Sequence, residues 1–321
     1  MRIAVDVGGT NIVAGLIDDN FNILSKKSVP SKSFRTPEEI IFDIFQVSKT
    51  VLEENNLSFD DMSFWGIGMP SCINPTTKNL VHANCFGWKN FPIFSYLEKY
   101  TNKPIYIEND ANCAAYGEVL AGSGKSYSNA IMLTLGTGVG GGIIIDKKIY
   151  SGSNRMGAEL GHTKLVHNGN LCTCGKKGCL ETYASATALV NLGKGFLKNN
   201  KSKIIDDLCK NQIKNLDGKI IFQAAAQNDM TANIILEKYC DYLASGIASF
   251  ISIFRPEVVI LGGGISEAKN QLLDILEPKV FEQTFAAEEI GIPKIICGSL
   301  GNDAGLIGAA FLAETNSISN K

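Results

Sequence analysis

Two stretches of this chain repeat one pattern. Ile3-Ala-Val-Asp-Val-Gly-Gly-Thr10 runs on through Ile12 to Ile17 and Asp18, and Ile131 to Leu135 runs through Gly136-Thr137-Gly138-Val139-Gly140-Gly141-Gly142 into Ile143 to Asp146. Each reads as an apolar strand, a glycine turn and a second apolar strand. A recurrence about 130 residues along predicts two related α/β lobes facing one another. The expected boundary lies near Glu118, with a first lobe over 1–118, completed by residues from near 302 to 321, and a second over 119–301.

Helices fill the intervals. Thr36-Pro37-Glu38-Glu39 has a threonine N-cap, a proline at the first helical position and a glutamate placed to close a capping box. Ile40, Ile41, Ile44, Phe45, Val47, Val51 and Leu52 then recur at helical spacing and predict one buried face. A more evenly apolar helix is expected from Ala232 to Phe254, stopped by Arg255-Pro256 and followed by a strand Val258 to Leu261 that ends in Gly262-Gly263-Gly264. A last helix is expected from near Asp303 through Ala313, and the polar residues 316–321 are expected to fray.

The 321 residues are 45% hydrophobic and 19% charged, a balance that can bury a sizeable core. A formal charge of −2 gives no electrostatic reason for a nucleic-acid or anionic-membrane partner. No secretory-type start and no membrane-length apolar run is read, so a cytoplasmic location is expected. The 9 cysteines, an odd number, fit a reducing compartment better than a disulfide framework.

The glycine turns carry the first chemical signal. Phosphoryl transfer needs backbone N–H groups around phosphate oxygens, a carboxylate near Mg²⁺ and a base for the acceptor hydroxyl. Gly8-Gly9-Thr10, Gly136-Thr137-Gly138 and Gly262-Gly263-Gly264 are three candidate cradles, and Thr10 and Thr137 add hydroxyls. Asp6, just before the first turn, is placed to act on Mg²⁺, directly or through water. Ordinary hairpin turns remain the plain reading of any one of them. Gly124-Lys125-Ser126 imitates a P-loop, but Val119 stands where its first glycine is required, so an exposed loop is expected there.

A short strand, Pro104-Ile-Tyr-Ile107, ends in Glu108-Asn109-Asp110-Ala111-Asn112. A polar cluster at a strand's carboxyl end is where α/β proteins place their chemistry. Asp110 is the candidate general base and Asn109 a candidate for orienting a sugar. The competing reading is a helix N-cap for 111–120, and both can hold for different members of the cluster.

The sulfur-rich stretch is the most specific. His162, Cys172, Cys174 and Cys179 form H-x9-C-x-C-x4-C, one imidazole and three thiols, a closed set for structural Zn²⁺. His167 competes for the imidazole place. Glu159 and Glu181 flank the set and could accept from sugar hydroxyls, and the second nitrogen of a zinc-bound His162 could donate to a sugar oxygen. A solvated face is the ordinary alternative for such glutamates.

Together these pieces resemble the ROK family of sugar kinases and repressors, and the ATP-dependent glucokinases in particular. The resemblance rests on Asp6-x-Gly-Gly-Thr-Asn11, Gly66-Ile-Gly-Met-Pro70, Glu108-Asn-Asp-Ala-Asn112, Leu135 to Gly142, Glu159-x-Gly-His162, Cys172-x-Cys-Gly-x-x-Gly-Cys-x-Glu181 and Gly262-Gly-Gly264. It implies an actin-like, ribonuclease-H-like fold with ATP and Mg²⁺ in a central cleft. It implies Asp110 as base, with Asn109, Glu159, His162 and Glu181 on the sugar, and it favours His162 as the zinc ligand. It also implies Gly8, Gly9, Thr10, Asn11, Thr137 and Gly138 near phosphates, Gly263 and Gly264 near adenosine, and assembly into homodimers or homotetramers. Ser71 follows Pro70 where the family has glycine, in a loop that borders the sugar, so the identity of the hexose stays open there. Glucose is the expected acceptor, with N-acetylmannosamine or another hexose as alternatives, and polyphosphate is the alternative donor. A sugar-responsive regulator is the alternative of another class. Asp6 leaves no room ahead of it for a helix-turn-helix domain, and Asp110 would be superfluous for binding alone.

Overall fold

The computed structural model describes residues 1–315 and 317–320. Among them lie the strands β1 Arg2–Val7, β2 Asn11–Ile17, β3 Ile23–Pro30, β4 Trp65–Met69, β5 Leu80–Ala83, β6 Trp88–Phe91, β7 Ile105–Asn109, β8 Ala130–Leu135, β9 Val139–Ile145, β10 Lys148–Ile149, β11 Val258–Gly262, β12 Lys294–Cys297 and β13 Ile318–Ser319. They form a six-stranded sheet ordered β13-β7-β4-β1-β2-β3, a five-stranded sheet ordered β10-β9-β8-β11-β12 and the β5-β6 pair. The chain divides into two compact units, Met1–Ala130 with Gly142–Ala158 and Ser299–Lys321, and Ile131–Gly141 with Glu159–Gly298.

In the first unit, β1 and β2 form the antiparallel hairpin that the glycine turn predicts. β1, β4 and β7 run parallel. Central parallel strands are covered on both faces, which is why β4 is buried along its whole length. The helix Pro37–Glu54 starts as its capping box dictates: Thr36 Oγ1 accepts the Glu39 N–H at 3.3 Å, and Glu39 Oε2 accepts the Thr36 N–H at 2.9 Å. Its face of Ile40, Ile41, Ile44, Val47, Val51 and Leu52 shares one core with Ile3, Val5, Trp65 and Ile67. The helix Asp110–Leu120 follows β7 without a loop.

In the second unit, β11 and β12 are parallel, with Val258 opposite Lys294. The apolar helix spans Met230–Phe254 and buries Ile235, Leu236, Leu243 and Ile247. Its Tyr239 hydroxyl donates to the Ala184 carbonyl at 2.7 Å, which satisfies a buried polar group. Arg255 ends the helix at φ +41° and donates its N–H to the Ile251 carbonyl at 2.9 Å, ahead of Pro256.

Two expectations change. The last helix is shorter than read, Ala304–Ala309 followed by a 3₁₀ turn at Leu312–Glu314. The Ala310 N–H is shared between the Leu306 and Ile307 carbonyls at 3.1 and 3.2 Å, and that tightening ends the α-helix. The polar stretch read as frayed contains β13, antiparallel to β7, and positions 316 and 321 lie outside the described residues. Its one apolar residue, Ile318, is 8% exposed and joins the core. Of the false P-loop, Lys125 and Ser126 are exposed as expected, and Gly124 is buried. Among the described residues no helix is long and apolar enough to cross a membrane.

Candidate active site

The first unit gathers carboxylates at the carboxyl ends of its parallel strands. Register places Asp6 of β1, Gly68 of β4 and Glu108 of β7 in one row. In-register neighbours of a parallel sheet point to the same face. Asp110 begins the helix after β7, and its Oδ1 accepts the Ala111 N–H at 2.8 Å. Burial first, and then the charge of Asp110, push the Asp6 carboxyl up to about 7. Cys113 lies fully buried on the same helix. Burial, followed by the charges of Glu108, Asp6 and Asp110, holds its thiol well above the ordinary range. Beside Asp110, the buried Asp6 carboxyl is disfavoured as an anion, which favours a proton or a cation there.

Asn109 is the N-cap of that helix. Its Oδ1 accepts the Ala111 and Asn112 N–H groups at 2.9 and 3.1 Å, so the capping reading is correct and only the amide donors are left for a ligand role. Glu108 is buried, and burial raises its carboxyl above the usual range. Its Oε1 accepts the Asn109 N–H and the Asn112 Nδ2, each at 3.0 Å. In the first glycine turn, the Gly8 N–H closes the hairpin onto the Asn11 carbonyl at 2.8 Å, while Gly9, Thr10 and Asn11 are exposed. Ser71 is buried, and its hydroxyl accepts the His82 N–H at 3.3 Å.

The second unit gathers sulfur. The ligand atoms of His162, Cys172, Cys174 and Cys179 all lie within 4.8 Å of one another. Cys174 and Cys179 Sγ are 3.7 Å apart, and Cys172 Sγ is 3.6 Å from His162 Nδ1. His167 is exposed and 3.1 Å from Asn168 Nδ2, outside the set, so the fold settles which histidine joins the thiols. Gly178 makes the convergence possible: it adopts φ +78°, and a Cβ there would lie 1.7 Å from the Val166 carbonyl oxygen. Lys164 Nζ donates to Cys179 Sγ at 3.0 Å and brings positive charge to the sulfur cluster.

Glu181 ties this loop to the second glycine turn. Its Oε2 accepts the Val139 N–H at 3.2 Å, and its Oε1 accepts the Thr173 hydroxyl at 3.0 Å. Gly138 approaches that carboxylate so closely that a Cβ would lie 2.2 Å from Oε2. Thr137 is exposed at the turn, Glu159 is exposed just before the 3₁₀ turn Leu160–His162, and Gly263 and Gly264 are exposed beyond β11.

The structure therefore gathers Asp6, Asn109 and Asp110 in one cluster and His162, Glu181 and the three cysteines in another. The sequence reading placed Glu108 and Asn112 in the polar cluster without giving either a role, and it missed Cys85 altogether. Glu108 carried a signal, a lone charge closing an apolar strand. Cys85 carried none: its Cβ would lie 3.2 Å from a Cβ at Gly9, a contact made across 76 residues of chain by numbering.

Comparison with known proteins agrees with these features. The chain is 36% identical over 313 residues to the glucokinase of Thermotoga maritima, covering 97% of this chain and 96% of that protein. It is 29% identical over 315 residues to the N-acetylmannosamine kinase of Haemophilus influenzae, covering 96% and 94%. The crystal structure of a ROK family glucokinase from Streptomyces griseus, in complex with glucose and AMPPNP, superposes with a TM-score of 0.83 at 33% identity, over 97% of this chain and 98% of that one. With the ROK family model matching residues 2–316 as well, the chain belongs to the ROK family.

Proposed function

We propose that this protein transfers the γ-phosphoryl group of ATP to the 6-hydroxyl of glucose. Glucokinases similar over nearly the whole chain support the reaction. The observation that carries the chemistry is the gathering of Asp6, at the end of β1, and Asp110, at the start of the helix after β7, where burial first and then the charge of Asp110 raise the Asp6 carboxyl. A kinase needs one carboxylate for Mg²⁺ and one for the acceptor proton, and this strand end supplies both.

Asp110 takes the proton from the sugar hydroxyl as that oxygen attacks phosphorus. Asp6 would hold Mg²⁺, directly or through water, and the ion would offset charge on the phosphates. The Asn109 amide donates to the sugar, Glu159 and Glu181 accept from its hydroxyls, and Ser71 borders it. Gly8, Gly9, Thr10, Asn11, Thr137 and Gly138 serve the phosphates. In the first turn the Gly8 N–H already closes the hairpin, so Gly8 serves by letting the backbone come close, while Gly9, Thr10 and Asn11 are the exposed members. Gly263 and Gly264 serve the adenosine.

Zinc fits the sulfur cluster by arithmetic. Bonds of about 2.3 Å to sulfur and 2.0 Å to nitrogen give tetrahedral edges of about 3.8 Å between sulfurs and about 3.5 Å from sulfur to nitrogen. The separations of 3.7 and 3.6 Å match. Zinc would close a structural site there, taking His162 through Nδ1 and leaving Nε2–H to donate to a sugar oxygen. Nine free cysteines accord with work in a reducing, cytoplasmic compartment. Dimers or tetramers are the assemblies to look for by light scattering.

A coupled ADP-release assay across glucose, mannose, allose and N-acetylmannosamine, with ATP and polyphosphate as donors, tests the reading. Glucose with ATP is expected to give the highest kcat/KM. The similarity to N-acetylmannosamine kinases makes that sugar the second acceptor to watch. No turnover on any sugar would sink the proposal.

A further inference from the structure

The stretch 317–320 lies beyond residues 2–316 matched by the family model, yet it is built into the strand that leads to Asp110. β13 pairs Ile318 with Ile107 and Ser319 with Tyr106, closing the β7 edge of the six-stranded sheet. Asn320 extends the ladder: its Oδ1 accepts the Ile105 N–H at 2.8 Å, and its own N–H donates to the Ile105 carbonyl at 3.2 Å. Lys78 Nζ holds the Ser319 carbonyl, and Asn320 Nδ2 holds Glu98 Oε1 at 3.1 Å. A covered sheet edge would by itself account for these backbone contacts.

The Ser317 side chain does something that edge cover does not require. Its hydroxyl donates to Glu108 Oε2 at 3.2 Å, and Thr315 Oγ1 sits 2.6 Å from the same hydroxyl. Glu108 is 7% exposed and divides its two oxygens. Oε2 faces Ser317, while Oε1 accepts the Asn109 N–H and the Asn112 Nδ2. Those two groups bracket Asp110, one residue before it and two after. A buried carboxylate that loses a donor is both less stable and less fixed in orientation, and whatever hangs on its other oxygen loses definition with it.

We propose that Ser317 is a positioning residue for phosphoryl transfer, acting through Glu108 to hold the Asn109–Asp110 turn in its working geometry. The inference rests on the reading of Asp110 as base. The hydroxyl is engaged by Glu108 and Thr315 and is assigned no substrate contact, so its loss should slow the chemical step and leave substrate affinity alone.

The test uses the full chain with Ser317→Ala, Ser317→Val and Ser317→Thr, assayed well below the melting temperature of each. Ala and Val should lower kcat roughly three- to tenfold, with both KM values within about twofold of the parent. Thr, which keeps the hydroxyl, should recover kcat to within about twofold. In a Glu108→Gln background, Ser317→Ala should cost nothing further, because the group it acts through is already altered. Where Glu108→Gln does not fold, the Ala, Val and Thr series decides alone. Parental kcat in both Ala and Val, or Thr no better than Val, overturns the proposal. An Asp110→Asn protein of near-normal turnover would instead overturn the underlying reading, whereas an inactive one beside fully active Ser317→Ala and Ser317→Val proteins overturns this inference alone.

Discussion

The acidic strand end of the first unit and the sulfur loop of the second hold their side chains by opposite means. Asp6 and Glu108 sit in register on a ladder, and Asp110 follows on a helix capped by Asn109. The polypeptide alone fixes that geometry. Residues 159–180 have a single 3₁₀ turn, Leu160–His162, and isolated bridges pairing Lys164 with Cys179 and Leu171 with Lys177. Little regular backbone holds the thiols together there, and a bound ion would supply what the chain does not. One region is organised by hydrogen bonds and spends stability on crowded charge. The other has little regular backbone of its own to organise it.

The largest expected effect breaks the first region's chemistry and leaves its scaffold. Asp110→Asn should lower kcat by about 10²- to 10⁴-fold while sugar binding by calorimetry persists, since the amide keeps the size but not the basicity. Turnover close to the parent would remove Asp110 from its role. Next, Cys174→Ser should drop zinc below about one per chain and cost about 10- to 100-fold in activity, mostly as sugar KM. A variant that keeps both metal and sugar affinity would contradict the ligand-organised account of that loop. Chelator should likewise lower the melting temperature of the parent and leave that of Cys174→Ser unmoved.

A subtler contrast concerns pH. Folding raises the Asp6 carboxyl to about 7, so the folded state keeps a proton that the unfolded chain releases near pH 4. Its favourable share of stability is therefore complete below about pH 4 and disappears as pH rises through 7. Asp6→Asn, inactive but uncharged, should be more stable than the parent at pH 8 without Mg²⁺, by on the order of 4 kcal/mol, and close to it at pH 4. Thermal melts at the two values decide this, and a parent as stable as the variant at pH 8 would show that the carboxylate is not strained. The smallest effect lies away from both regions: Thr36→Ala should cost about 1 kcal/mol in denaturant midpoint with no change in kcat.

Much of this was legible in the sequence because it is local. Thr36 and Glu39 are three residues apart, and each hairpin spans a single turn, so spacing alone reveals them. The sulfur motif is also local, but spacing could not choose between His162 and His167, and folding did. What stayed hidden depends on distant partners. Ile318 pairs with Ile107 and Ser317 reaches Glu108 across most of the chain, so polar residues with no pattern of their own gave no warning of a strand. Cys85 against Gly9 is the same kind of contact.

The row formed by Asp6, Gly68 and Glu108 limits how such a protein can diversify. Inserting or deleting one residue in β4 or β7 would turn Gly68 or Glu108 to the opposite side of the sheet. The strands thus behave as a fixed keyboard. On the proposed function, new acceptors would be accommodated in the connecting loops, such as the one entered at Pro70 and Ser71, where length and composition can drift without transposing the keys.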